Sequence, residues 1–102
     1  MIKIYGRSDC PDCVACKASF DENGIAYDYR DIGSSIKDMA IFLKIRDLNN
    51  EFDDIKGTGK IGIPVIVFED RSVTLDWEDY LKKNGHSTVQ AKSSCSIDGT
   101  GC

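Results

Sequence analysis

Two cysteines separated by two residues, Cys10-Pro11-Asp12-Cys13, carry the clearest chemistry in this chain. A pair at this spacing can close a small disulfide ring, exchange disulfides with a partner, or hold a metal. Position decides between these uses. Ile2, Lys3, Ile4 and Tyr5 alternate as a short strand, residues 6–9 read as a polar turn, and Pro11 suits the first turn of a helix. Cys10 therefore falls at a helix N-terminus, where unpaired N–H groups and the positive end of the dipole stabilise a thiolate. Cys13 lies one turn in, shielded, as the resolving thiol. Cys10 would attack a substrate disulfide and Cys13 would then displace the bound substrate sulfur. Arg7 adds positive charge nearby, whereas the Asp12 carboxylate acts against the thiolate.

The chain has 5 cysteines. Cys16 extends the pair to C-x2-C-x2-C, a spacing that also opens ferredoxin-type cluster runs. A metal or iron–sulfur module using Cys10, Cys13 and Cys16 is therefore the alternative reading. Against it, no fourth cysteine follows nearby. Cys13, Cys16 and Phe20 also recur at i, i+3 and i+7, as on the inward stripe of a helix. A buried thiol is the simpler role for Cys16, and no metal ligands are assigned. Cys95 and Cys102 bracket six residues that include Gly99 and Gly101, so ring closure is easy. They form a candidate auxiliary redox pair that could pass electrons to Cys10 and Cys13. The 1 histidine, His86, has no partner constellation, and Glu51, Asp53 and Asp54 match no calcium loop.

The elements that must position the pair follow from patterning. Asn23-Gly24 stops the first helix, and residues 25–32 read as a second strand with Tyr27 and Tyr29 on one face. Ser34 or Ser35 caps a second helix, whose apolar stripe is Ile36, Met39, Ala40 and Leu43. Residues 49–62 are polar and Gly-rich, a loop with room for a helical turn. Val65-Ile66-Val67-Phe68 is a buried strand, residues 72–75 a short return strand. Asp76 caps a last helix with Trp77, Tyr80 and Leu81 inward, ended by Gly85. The order β-α-β-α-β-β-α is an α/β layer architecture. It predicts one domain over residues 1–85 and a flexible, cysteine-containing tail over residues 86–102, where Ser, Thr, Gly and Lys dominate.

Composition narrows the function classes. A net charge of -4 and a pI near 4.8 argue against nucleic acid and against an anionic membrane surface. No apolar run would span a bilayer, and the N-terminus shows no signal-peptide pattern, so cytoplasm is the expected compartment. Thiols in a reducing cytoplasm are rarely structural disulfides.

The Cys10-Pro11-Asp12-Cys13 motif after Ile2–Tyr5, together with Gly62-Ile63-Pro64-Val65, resembles the glutaredoxins over about residues 1–85. The family motif is CPYC, so Asp12 stands where tyrosine is common. The resemblance implies the thioredoxin-like glutaredoxin fold, with a mixed four-stranded sheet and flanking helices. It implies a dithiol thiol–disulfide oxidoreductase, or electron carrier, acting on protein or small-molecule disulfides and recycled by a thiol reductase system. It implies a cis Ile63–Pro64 bond facing the cysteines, with the Ile63 backbone pairing with substrate. Arg7, Pro11, Asp12, Lys60, Ile63, Pro64 and Asp76 are the substrate-binding residues it implies. Glutathione is a candidate co-substrate, with Arg7 or Lys60 meeting its glycine carboxylate, and no tightly bound cofactor is expected. The family's Gly-Gly ahead of an acidic residue is replaced by Thr74-Leu75 ahead of Asp76. Capping and dipole pairing by Asp76, Glu78 and Asp79 is the other reading of that stretch.

Overall fold

The structure is a computed structural model that describes residues 1–89. In chain order it contains β1 (Ile2–Gly6), α1 (Pro11–Glu22), β2 (Tyr27–Asp31), α2 (Ile36–Leu48), a single 3-10 turn (Asn50–Phe52), β3 (Val65–Val67), β4 (Val73–Thr74) and α3 (Trp77–Lys83). The sheet has 4 strands in the order β2-β1-β3-β4. β1 pairs parallel with β2 through the α1 crossover, and antiparallel with β3, which pairs antiparallel with β4. The element order gave the α/β layers, and the sheet is the mixed, thioredoxin-like one that the resemblance implied.

Strand alternation sorts side chains into two layers. On one face Ile4 and Ile66 pack with Ala15, Cys16, Phe20, Trp77 and Leu81, so α1 and α3 share that layer. On the other, Tyr5 and Val65 pack with Phe42, Phe52, Ile32 and Val73, joined by Cys10, Cys13 and Ile63. The central strands β1 and β3 serve both layers, which is why Val65-Ile66 reads as continuously apolar. The edge strand β2 is more polar. Its Arg30 binds Asp28 at 2.7 Å and approaches Asp38 of α2 at 3.8 Å.

Helix ends follow local chemistry. Cys10, Ser35 and Asp76 are the N-caps of α1, α2 and α3, each accepting from the N–H three residues on. Pro11 occupies the first turn of α1, where its missing N–H costs nothing. The second strand is shorter than the expected 25–32, because Ile25 is still tied to Phe20 O by its N–H.

The stripe expected on α2 is corrected. Ile36 is 89% exposed, Leu43 is 46% exposed, and Ala40 faces solvent; the inward residues are Met39, Phe42 and Ile45, with Phe42 fully buried. Helical period admits both stripes, and packing of Phe42 against Phe52, with centroids 6.2 Å apart, selects the second. The start of the expected tail is also ordered against the domain. Asn23 exchanges two hydrogen bonds with the Ser87 backbone, and the Val89 N–H donates to Ser19 Oγ at 2.8 Å.

Candidate functional site

The strand-to-helix junction sets the geometry. Gly6 ends β1, and residues 7–9 turn the chain so that Cys10 precedes α1 in extended backbone, φ -97° and ψ 117°. The Cys13 N–H donates to Cys10 Sγ at 3.4 Å. Cys10, Cys13 and Cys16 are thiols in this structure. Cys10 is 3% exposed and Cys13 fully buried.

Electrostatics divide the two sulfurs. The Cys10 thiol titrates below the ordinary cysteine value, first because the Cys13 thiol hydrogen-bonds to it. The N–H groups of Cys13 and Asp12 help, while burial and the Asp12 charge oppose. Cys13 is pushed far up, chiefly by donating to the Cys10 thiolate and then by burial. The result is one stabilised thiolate and one held proton, the division of labour that exchange chemistry needs. Cys16 belongs to the other core layer, beside Phe20 and Trp77, and burial pushes its thiol up. Cys10 and Cys13 pack in one core layer and Cys16 in the other, so the three thiols do not share one cluster. Among the described residues no group of three His, Cys, Asp or Glu side chains is placed to hold a metal ion.

Close approach explains Gly6. A Cβ there would stand 2.9 Å from Cys13 Sγ and 2.8 Å from the Tyr29 hydroxyl. The missing side chain is what lets the Cys13 sulfur lie against the end of β1. Facing the cysteines, the Ile63–Pro64 bond is cis and both residues are buried. Ile63 shares a cluster with Cys10 and Cys13, and Leu75 packs on that cluster. Gly62 adopts φ +97°, and a Cβ there would fall 2.6 Å from Ile55 Cδ1. Glycine is thus required where the loop turns into Ile63.

The substrate-binding residues implied earlier divide into groups. Arg7 and Lys60 line one groove of about 370 Å³, floored by Ile32, Met39 and Phe42. Arg7 is held in a two-point ion pair with Asp9, at 2.8 and 3.0 Å, so its charge is partly cancelled before it reaches Cys10. Pro11 and Asp12 lie in the first turn of α1, half-buried beside Cys10. Asp76 is exposed, does not line that groove, and accepts from Asp79 N–H at 3.1 Å as the cap of α3. Cys95 and Cys102 lie outside the described residues.

Sequence reasoning missed Arg46. Its guanidinium donates to the Ile61 carbonyl at 3.0 Å and to that of Lys60 at 3.3 Å, tying α2 to the loop that carries Lys60. It also lines the groove. The signal was its place four residues after Phe42, on the stripe that proved to face inward. Tyr29 was seen only as a strand residue, yet its hydroxyl and the Cys13 sulfur flank the same glycine.

Two comparisons bear on this geometry. The Glutaredoxin family profile matches residues 2–73. An uncharacterized protein of Haemophilus influenzae (strain Rd) is 36% identical over 73 residues, covering 72% of this chain and 85% of that protein. No solved structure matches the chain.

Proposed function

Because the chain belongs to the glutaredoxin family, we propose that it is a dithiol thiol–disulfide oxidoreductase working through Cys10 and Cys13. The observation that carries this reading is the convergence of the Cys13 N–H and the Cys13 thiol on Cys10 Sγ at the start of α1. The Cys10 thiolate attacks a substrate disulfide, forming a mixed disulfide and expelling one substrate sulfur as a thiol. Cys13 then loses its proton as it attacks Cys10 Sγ. The second substrate sulfur leaves and takes up a proton, and Cys10–Cys13 closes as a disulfide. Two electrons have moved from the dithiol to the substrate.

Substrates on this reading are disulfides of proteins or small molecules, held against the cis-Pro64 wall beside Ile63. A low-molecular-weight thiol, glutathione among them, or a thiol reductase system recycles the pair. Arg7, Lys60 and Arg46 give the groove a cationic rim suited to a carboxylate of such a thiol. The amine-binding end is weaker, since Thr74-Leu75 replaces two glycines and Asp76 is engaged as a cap. No described helix is long and apolar enough to cross a membrane. The chemistry suits a reducing compartment such as the cytoplasm, serving redox homeostasis.

The test is reduction of a small disulfide, coupled in turn to glutathione with its reductase and to thioredoxin reductase. Cys10→Ser is expected to abolish turnover, and Cys13→Ser to accumulate the substrate mixed disulfide on Cys10. Full turnover by Cys10→Ser would refute the proposal.

A further inference from the structure

Cys13 is fully buried, yet it must lose a proton when it displaces a substrate sulfur from Cys10. In the dithiol that proton is held by the Cys10 sulfur, the first cause of the raised Cys13 pKa. In a mixed disulfide the Cys10 sulfur is bonded to substrate and is no longer an anion. The proton has then lost its acceptor at the moment it must leave. The Arg7 backbone N–H also acts on the Cys13 sulfur and favours its thiolate. An amide N–H only donates, so it cannot take the proton away.

A tyrosine hydroxyl both donates and accepts, and Tyr29 brings one to this sulfur. β2 sets Tyr29 opposite Ile4 of β1, and its side chain packs on the layer that contains Ala15, Cys16 and Phe20 of α1. Its hydroxyl and Cys13 Sγ stand 2.8 and 2.9 Å from one point, the place a Cβ on Gly6 would take. The two atoms are therefore less than about 6 Å apart, a gap that one water molecule bridges. Burial first, and then the charges of Cys13, Asp31 and Cys10, raise the Tyr29 pKa, so the phenol stays neutral. A neutral hydroxyl can take up one proton while it gives away its own. The same side chain reaches solvent, because Tyr29 lines an open groove of about 450 Å³ with Ser8, Val14, Lys17 and Asp31. Lys17 lies one turn beyond Cys13 on α1, and its ammonium sits 4.7 Å from the Tyr29 ring centroid. That cation holds the ring in place and favours release of the hydroxyl proton toward the groove.

We propose that Tyr29 is the proton relay of the resolving step, linking the buried Cys13 thiol to solvent in the groove beside α1, a role that rests on the reading of Cys10 and Cys13 as the exchange pair. In the mixed disulfide the Cys13 thiol gives its proton to Tyr29 Oη, directly or across one water. The Tyr29 hydroxyl proton passes at the same time to water in the groove. The Cys13 electron pair forms the bond to Cys10 Sγ. The bond from Cys10 to the substrate sulfur breaks, and that sulfur leaves with its electron pair and is protonated by solvent. By count, the proton that Cys13 gives up is the one that the substrate thiol gains, and Tyr29 ends neutral. When a reducing thiol reopens Cys10–Cys13, the same path returns a proton to Cys13.

The experiment uses the full chain, with Cys95→Ser and Cys102→Ser in every sample so that the remaining thiols are Cys10, Cys13 and Cys16. Reduced protein is mixed with one equivalent of dithiobis(nitrobenzoate) and followed by stopped-flow absorbance. The coloured thiolate is released in two phases, the first as Cys10 attacks and the second as Cys13 resolves. Tyr29→Phe keeps the ring and its place under Lys17 and removes only the hydroxyl. Its first phase is expected to match that of the parent within about twofold, and its second to slow about tenfold. Tyr27→Phe, which loses a hydrogen bond to Asp21 at 2.6 Å instead, is expected to slow neither phase. An unchanged second phase in Tyr29→Phe, equal slowing of both its phases, or the same slowing in Tyr27→Phe would overturn the relay. The exchange pair is checked in the same assay. Cys13→Ser is expected to show the first phase alone, and Cys10→Ser to lose both. Those two results beside a failed relay leave the exchange reading intact, whereas two full phases in either cysteine variant remove both readings.

Discussion

Alanine at Gly6 is expected to damage both stability and the active thiolate. The added Cβ would lie 2.9 Å from Cys13 Sγ, 3.2 Å from Cys13 Cβ and 2.8 Å from the Tyr29 hydroxyl. Ordinary contacts between such atoms are about 3.5–4.0 Å, so the overlap approaches an ångström. The Tyr29 hydroxyl is the end of a half-buried side chain and can swing aside. Cys13 cannot, because it is fully buried on the first turn of a packed helix. Overpacking of this kind costs about 1–3 kcal/mol. For a domain near 100 residues that is a fall in Tm of about 4–8 °C per kcal/mol. Displacing Cys13 also weakens its hydrogen bond to Cys10, the largest cause of the lowered Cys10 pKa. The midpoint of Cys10 alkylation by iodoacetamide against pH is therefore expected to rise. Gly33→Ala is the control. Its Cβ would meet Arg7 Cζ at 3.1 Å and Asp31 Oδ1 at 3.2 Å, both on side chains that can yield. It should stay within about 0.5 kcal/mol of the parent in urea unfolding. An unchanged melting temperature and alkylation midpoint in Gly6→Ala would refute the close approach of Cys13 to β1.

Other expectations test neighbouring parts of the site. Asp12→Asn removes a charge that raises the Cys10 pKa while keeping the backbone N–H that lowers it; its alkylation midpoint is expected to fall further, and a rise would contradict the assignment. Reduced protein is expected to lose stability as pH climbs above 9.0, the ordinary cysteine value, because the unfolded chain then releases protons that Cys13 and Cys16 keep when folded. Cys10 has the opposite sign: its folded-state pKa is lowered, so its contribution is present above 9.0 and is lost as pH falls through the folded value. Urea midpoints of the reduced chain and of Cys16→Ala across this range check the balance, with the variant showing the shallower alkaline loss. Asp76→Ala is expected to cost about 1 kcal/mol, and Asp76→Asn much less, since asparagine also caps. A large rise in KM for glutathione with Asp76→Asn would instead return Asp76 to substrate binding.

How much was legible in the sequence differs from element to element. The site motif was, because its chemistry is local. Pro11 at a helix start and Cys10 as the cap are decided within a few residues of chain, as are the Ser35 and Asp76 caps. The sheet-forming runs were legible too, since alternation or continuous apolarity reports how many faces of a strand are buried. The α2 stripe was not. Ile36, Ala40 and Leu43 fit the helical period as well as Met39, Phe42 and Ile45 do, and only the position of Phe52 across the layer separates them.

The sequence by itself determined that Cys10 stands at a helix start with Cys13 one turn in, where helices begin, and that a strand, the Cys10–Cys13 pair and a helix follow in order. Each of these depends on neighbours in the chain. Only the tertiary structure decided that Cys13 rests against Gly6 and Tyr29 and that Arg46 carries the Lys60 loop. It alone directed residues 87–89 along α1 toward Cys10. Those contacts join residues far apart in sequence. Their existence depends on packing two layers on one sheet, which no local pattern encodes.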